Sequence, residues 1–274
     1  MGQSDETWLF VPAKGKFLDK FEEIESEIII LDLEDSLAPE QKEEGLELAQ
    51  KVIERFGKER TIYVRVNSGE RLIFELQNLR NYEFDGYMIP KFENPDFLEE
   101  YEELLTGKKV IALVESIKGI FSLEKIASHP LVNILAFGGE DFCKEISMEA
   151  GEEATIYARN QLVMYAAFNG KTALDSISLE IRDMEIFAGQ YQKSKRMGFN
   201  GKLLIHPNQA RAVRKYREKF DKQRLQRIID IYNDSKEAIV QIDGQVYEPP
   251  HIEKIKKYLQ NFQGELLNGE KWAI

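Results

Sequence analysis

The sequence predicts a (β/α)8 TIM barrel, and three observations carry that prediction. Eight short apolar runs recur along its 274 residues: TWLFVPA, IIILDLED, TIYVRVN, GYMIPKFE, VIALVES, NILAFGGED, ALDSIS and KLLIHP. Each run stops abruptly at polar or charged residues, and amphipathic stretches separate them, which is the pattern of repeated βα units. A closed barrel uses about 250 residues as one body, close to this length. In such barrels the chemistry sits at the carboxyl ends of the strands, so the residues that end each run are the candidates.

The runs are rich in Ile, Val, Leu, Phe and Tyr, as strands buried on both faces must be. Pro39 opens the helix after the second run, and Leu46, Ala49, Val52, Ile53 and Phe56 mark its inner face. Asn94-Pro95-Asp96 starts another helix, with Phe97, Tyr101, Leu104 and Leu105 inward. Thr155 to Asn169 reads as a third, before Gly170, and Ile181 to Met197 as a fourth, stopped by Gly198. The charged stretch 208–240 is one or two amphipathic helices. The barrel is expected over 1–222 and a C-terminal helical extension over 223–274. Within the extension, QIDGQVYEPP (241–250) breaks the helical pattern as a short loop or hairpin, a lid-like arm. A terminal helix from Ile252 to Phe262 follows, and the last residues, NGEKWAI, are expected to be loosely held.

Composition narrows the function classes. Hydrophobic residues make up 43% and charged residues 31%, which fits a globular protein with a real core. A net charge of −11 argues against a general nucleic-acid binder, which needs a basic footprint. Cys143 is the only cysteine, so no intrachain disulfide can form. Residues 1–12 lack a basic segment followed by an apolar one, and no run is long enough to span a membrane. A cytoplasmic protein is expected.

Glu115 and Asp141 end the fifth and sixth runs, and adjacent barrel strands place such ends side by side. Two carboxylates with positions left for water and substrate oxygens suit Mg²⁺. Either residue can instead cap the helix that follows it. Arg65 ends the third run, where a guanidinium can clamp a carboxylate or phosphate, or pair internally with Asp32 or Glu34. Three acids crowd the end of the second run, and alternation puts Asp32 and Glu34 on one face and Asp35 on the other. Gly138-Gly139, before Glu140, permits close backbone approach to a ligand. Lys91 can form a Schiff base or, more commonly, an ion pair, with Glu93 the nearest partner in sequence. His206, His129 and His251 lack a second ligand at zinc spacing and read as structural.

These motifs, LFVPA, LDLEDS, VRVN, PKFE, ALVESIKG, FGGEDF and GKLLIHPNQ, occur in the order seen in citrate lyase beta-subunit-like proteins. The chain thereby resembles the superfamily of malyl-CoA and citramalyl-CoA lyases and HpcH/HpaI-type aldolases, from about Trp8 to Pro250. The resemblance implies a Mg²⁺-dependent carbon–carbon lyase. It implies Mg²⁺ on Glu115 and Asp141, with a 2-oxo acid chelating it and held by Arg65 and by the backbone at Gly138, Gly139 and Glu140. Asp32 and Glu34 would orient Arg65 and the metal's waters. Acetyl-CoA or another acyl-CoA is the implied co-substrate, and a homo-oligomer, trimer or hexamer, is the implied assembly.

In that family a late G-x-M-I/V-D-x-P segment supplies an acid/base aspartate to a neighbouring subunit. Here Gly244-Gln245-Val246-Tyr247-Glu248-Pro249-Pro250 puts Glu248 in its place, one methylene longer. The basic residue expected after the first Pro-Ala is out of register, and Lys14 and Lys16 are the nearest candidates for the CoA phosphates. The rival readings are a CoA-independent class II aldolase on 2-oxo acids, a CoA-thioester hydrolase, and an accessory subunit of a citrate lyase complex.

Overall fold

The computed structural model describes residues 6–18, 20–148, 152–235, 237–256 and 259. Eight parallel strands close into a barrel in sequence order. They are β1 (Thr7–Pro12), β2 (Ile28–Asp32), β3 (Thr61–Arg65), β4 (Gly86–Ile89), β5 (Lys109–Val114), β6 (Val132–Phe137), β7 (Thr172–Asp175) and β8 (Gly201–Leu204). All eight coincide with the apolar runs. β1 pairs with both β2 and β8, with Thr7 opposite Lys202, so no strand edge is left open.

Side chains alternate across each strand, and this decides what enters the barrel. Trp8, Ile28, Ile30, Tyr63, Met88, Ile111, Leu113, Ile134, Ala136, Leu174 and Leu203 form one buried interior cluster. Continued by two residues, the same phase runs from Ile28 and Ile30 to Asp32, from Tyr63 to Arg65, and from Ile111 and Leu113 to Glu115. The apolar plug thus ends in a ring of ionisable groups.

The opposite phase faces the surrounding helices. Leu174 points inward, so Asp175 points out, where it is fully buried. The Arg159 guanidinium donates to it twice, from Nε at 2.9 Å and Nη2 at 2.6 Å, and Lys202 Nζ and Ser194 Oγ also donate to Oδ2. Burial alone would raise the Asp175 carboxyl, but Lys202 and Arg159 outweigh it and hold it below the usual range.

The helices follow the sequence with local differences. Pro39 opens a 3-10 turn, Pro39–Gln41, that leads into the helix Lys42–Phe56, whose buried residues include Leu46, Ala49, Val52 and Ile53. The helix expected after Asn94 is two single turns, Phe97–Glu100 and Glu102–Leu105, broken at Tyr101. The third is Glu152–Phe168. The fourth begins later than periodicity indicated, at Met184, because the Asp183 carboxylate accepts from the amides of Glu185 and Ile186 and fixes the start there. It ends at Gly198, whose φ of 100° is left-handed.

Contacts divide the chain into two units, Ser4–Ala212 and Val213–Ile274. The helix Pro207–Ser235 runs unbroken through position 222, where the sequence placed a boundary. In the second unit, β9 (Val240–Ile242) and β10 (Gln245–Tyr247) form an antiparallel hairpin. Asp243 and Gly244 both have positive φ, as a two-residue hairpin turn demands. Val240 and Ile242 pack with Ile228 and Ile252, so the expected arm is a hairpin anchored on its own unit's core. The terminal helix is described from 249 to 256, and NGEKWAI lies outside the described residues. No helix among the described residues is long and apolar enough to cross a membrane.

The Asp175 cluster sets a stability test. Asp175→Ala leaves Arg159 and Lys202 buried without their anion, a loss of about 3–5 kcal/mol for broken buried pairs. Urea unfolding should show it, and a variant within about 0.5 kcal/mol of the parent would refute the assignment.

Candidate functional site

Asp32 and Arg65 are register partners on adjacent strands, both aimed inward. Arg65 donates to Asp32 through a fork, Nε to Oδ1 and Nη2 to Oδ2, each at 2.7 Å. The Arg65 guanidinium also lies over the Phe10 ring, 4.6 Å from its centroid. Burial raises the Asp32 carboxyl, but the Arg65 fork, the Glu34 amide and the Ser36 side chain outweigh it and hold it below the usual range. Burial likewise lowers Arg65, and Asp32 more than reverses it. Both shifts favour the charged pair.

The expectation for Asp35 requires correction. Alternation sends it away from Asp32 and Glu34, yet its Oδ2 accepts from Arg65 Nη1 at 3.2 Å, beside Glu34 Oε2 at 3.5 Å. The strand ends at Asp32 and the chain turns immediately, so period two no longer applies. Lys91 needs a similar correction. Its Nζ meets Glu34 Oε1 at 3.5 Å, while Glu93 takes Lys118 and the Ser116 hydroxyl. Burial would lower the Lys91 ammonium, but Glu34 and Glu115 outweigh it and hold it above the usual lysine range. That is the opposite of what a Schiff-base lysine needs.

Glu115 is freed for the site by its neighbour. The Ser116 hydroxyl caps the following helix, Ile117–Phe121, by accepting from Gly119. Glu115 Oε1 accepts from the Lys91 amide at 2.7 Å, which Lys91 presents through a left-handed φ of 51°. The carboxylate lies against Gly138, where a Cβ would sit 2.6 Å from Oε2, so only glycine fits. No basic side chain forms an ion pair with Glu115 among the described residues. Burial above all, then Glu34 and Asp141, push its carboxyl up to about 7 despite the Lys91 amide.

Arg65, Glu115, Gly138, Gly139, Glu140 and Asp141 line one cavity of about 100 Å³, with Asp35, Ser176 and apolar Phe10, Leu113, Phe137, Ile177 and Leu203. Asp32 and Glu34 stand behind Arg65. Asp141 is in the first turn of Gly139–Glu145 and half exposed, with Lys144 Nζ 3.9 Å away. The amides at the glycine pair are already used: Gly138 donates to the Val114 carbonyl and Gly139 to Ser176 Oγ at 2.9 Å.

The remaining candidates lie elsewhere. Lys14 lines a separate cavity of about 190 Å³ with Gly15, Gln41 and Glu44, and the exposed Lys16 ammonium lies over Phe17. Glu248 belongs to the second unit, exposed, with its amide donating to His251 Nδ1 and its carbonyl accepting from His251 and Ile252. His129 and His206 likewise accept backbone amides through Nδ1. Two features escaped the sequence reading. Ser176 lies within the seventh run and directly follows β7, so the strand-end rule applied to Glu115 would have marked it. The other is a brace of Lys42, Asn67 and Glu75: Lys42 Nζ donates to the Leu33 carbonyl and Asn67 Oδ1, both at 2.8 Å, and Glu75 accepts from Asn67's amide and side chain. Lys42 opens the helix after β2 and Asn67 follows β3, and no spacing signal joins them.

The donor set fits one metal class. No group of three or more His, Cys, Asp or Glu suited to a metal occurs among the described residues. Two carboxylates facing one cavity, one of them buried without a cation, suit an ion that keeps several waters and takes substrate oxygens, as Mg²⁺ does.

Known proteins resemble this chain over most of its length. The HpcH/HpaI aldolase/citrate lyase family model matches residues 6–207. A (3S)-malyl-CoA thioesterase of Cereibacter sphaeroides is 30% identical over 208 residues, covering 73% of each chain. Mitochondrial citramalyl-CoA lyase of Homo sapiens is 29% identical over 232 residues, 75% of this chain and 68% of that one. The citrate lyase beta subunit of M. tuberculosis complexed with oxaloacetate and magnesium superposes with a TM-score of 0.69. It is 27% identical, covering 78% of this chain and 96% of that one.

Glu115 makes the site's electrostatics testable by stability alone. Its carboxyl titrates near 7 folded and near 4.5 unfolded, so between those values the folded state binds more protons. Its contribution to stability therefore falls as pH rises through that window. Glu115→Gln should raise the melting temperature in chelator-treated buffer, more at pH 8 than at pH 5. An equal gain at both would show that Glu115 is not held protonated by its surroundings.

Proposed function

The chain belongs to the HpcH/HpaI aldolase/citrate lyase family, and from that premise we propose a Mg²⁺-dependent carbon–carbon lyase. It would cleave a 3-hydroxyacyl-CoA of the citramalyl- or malyl-CoA type into a 2-oxo acid and acetyl-CoA, or join them. The observation that carries this reading is one cavity lined by a locked guanidinium and two carboxylates, of which the buried Glu115 has no ion pair among the described residues. The relatives support it: one is named for citramalyl-CoA lysis, and the M. tuberculosis subunit binds magnesium and oxaloacetate.

Glu115 and Asp141 would hold Mg²⁺, which when bound supplies Lewis-acid stabilisation of negative charge on a substrate oxygen. Every other part falls to the chain. Of Arg65's five N–H groups, the Asp32 fork takes two and Asp35 a third, leaving donors for a substrate oxygen. Asp32, Glu34 and Asp35 fix the guanidinium before substrate arrives, so little reorganisation remains when charge develops. The wall of Gly138, Gly139 and Glu140 would receive the substrate carboxylate. Phe10, Leu113 and Leu203 make the cavity floor apolar, which strengthens each of these contacts. Glu248 would be the acid/base that makes or quenches the acetyl-CoA enolate, from a neighbouring copy in a homo-oligomer, and Lys14 and Lys16 would meet the CoA phosphates.

One rival has specific support, since the Cereibacter sphaeroides relative is named a thioesterase. Product analysis separates the two. With Mg²⁺ and citramalyl-CoA or malyl-CoA, lysis yields 2-oxo acid and acetyl-CoA in equal amounts without free thiol. Release of free CoA and intact hydroxy acid would replace the lyase with a hydrolase. Glu115→Ala and Asp141→Ala should each abolish Mg²⁺-dependent thermal stabilisation. Arg65→Lys should weaken 2-oxo acid binding by about tenfold or more while the fold survives, since an ammonium cannot reproduce the fork.

Glu248→Gln keeps shape and loses the base. It should abolish proton exchange at the acetyl-CoA methyl while leaving Mg²⁺ and 2-oxo acid binding intact, as read by NMR and calorimetry. Full exchange in this variant would make Glu248 a surface carboxylate and move the acid/base elsewhere.

A further inference from the structure

We infer that Ser176 is a substrate-binding residue whose hydroxyl takes over the donor role of the Gly139 amide and carries it to the carboxylate of the bound acid. The inference rests on the proposed reading of the cavity as a 2-oxo acid site and deepens it.

The geometry begins with a conflict. The Gly138-Gly139 backbone is the natural wall for a carboxylate, yet its amides are spent. Gly138 donates to the Val114 carbonyl at 3.0 Å and Gly139 to Ser176 Oγ at 2.9 Å. A carboxylate accepts and cannot donate, so it gains nothing from an amide whose hydrogen is engaged. A hydroxyl both accepts and donates. Ser176 Oγ accepts the Gly139 hydrogen, and among the described residues its own hydrogen has no acceptor. The residue lines the same cavity as Arg65, Glu115 and Asp141. The one direction in which its hydroxyl is unsatisfied is therefore open to a ligand that accepts. Accepting from Gly139 also polarises the hydroxyl and strengthens what it donates.

Two features hold the oxygen in place. Asp175, one residue earlier, is fully buried and gripped by Arg159, Lys202 and Ser194, so the backbone entering Ser176 cannot drift. Gly139 allows the approach, because a Cβ there would lie 2.8 Å from Ser176 Oγ. The buried Asp175 cluster and the absent side chain at 139 thus serve the same contact.

Calorimetry on the full chain in Mg²⁺ tests this with pyruvate and its neutral amide, pyruvamide. A hydrogen bond to a charged acceptor is worth more than one to a neutral acceptor. Ser176→Ala should lower pyruvate affinity by about tenfold and pyruvamide affinity by less, narrowing the preference for the acid. Ser176→Cys, which keeps a weak acceptor against Gly139 but donates poorly, should narrow it too, and it decides the question if the alanine variant does not fold. Unchanged pyruvate affinity overturns the assignment. So does an equal loss for both ligands, which marks Ser176 as mere support for Gly139. A parent protein that binds neither ligand overturns the 2-oxo acid reading beneath it, and the inference with it.

Discussion

The fork between Arg65 and Asp32 is the interaction on which the barrel mouth depends. Two opposite charges sit at the ends of neighbouring strands, almost out of water, with two bonds of 2.7 Å between them. Burying either charge alone is costly, and only close pairing offsets it. The pair sets the positions of Glu34 and Asp35 through the same guanidinium, and Glu34 in turn holds Lys91. The Lys91 backbone then donates to Glu115. Loss of Asp32 would leave a cation loose at the centre of the site. Just past the fork, Lys42, Asn67 and Glu75 tie together the segments that follow β2 and β3.

Around the fork the charge is deliberately unbalanced. Asp35, Glu115, Glu140 and Asp141 line a cavity in which Arg65 is the single basic lining residue among the described residues. An apolar floor raises the cost of each unmatched carboxylate, and Glu115 shows it by holding its proton to about 7. A divalent cation would offset that negative charge, and an anionic substrate would be admitted only alongside it. The chemistry proposed here follows from that imbalance more than from any single residue.

The pleat separates this reactive cluster from a second one. Asp175 faces away from the interior, and its partners Arg159 and Lys202 close a buried network in the helix layer. That network is structural, yet the next residue is Ser176 in the cavity wall. A one-residue step along β7 therefore links the stability of the shell to the shape of the site.

Much of this protein was legible in its sequence. Eight apolar runs that stop at polar or charged residues bury both faces in a parallel sheet, their number suggests a closed one, and the strand-end rule picked out Arg65, Glu115 and Asp141, which line one cavity. Tertiary structure decided what spacing could not. Asp35 turned toward Arg65 because the chain leaves the strand at Asp32, where alternation loses its meaning. Lys91 chose Glu34 over its sequence neighbour Glu93 because closure of the barrel brings the ends of β2 and β4, which are not neighbours in the sheet, within reach across the mouth. Lys42 met Asn67, and Ser176 met Gly139, across separate βα units with no shared period. The sequence by itself determined which residues alternate, cap and end each strand, since those are local properties of the backbone. Which charges pair and which hydroxyl faces the cavity was set only by the closure of the barrel, which brings together residues far apart in the chain.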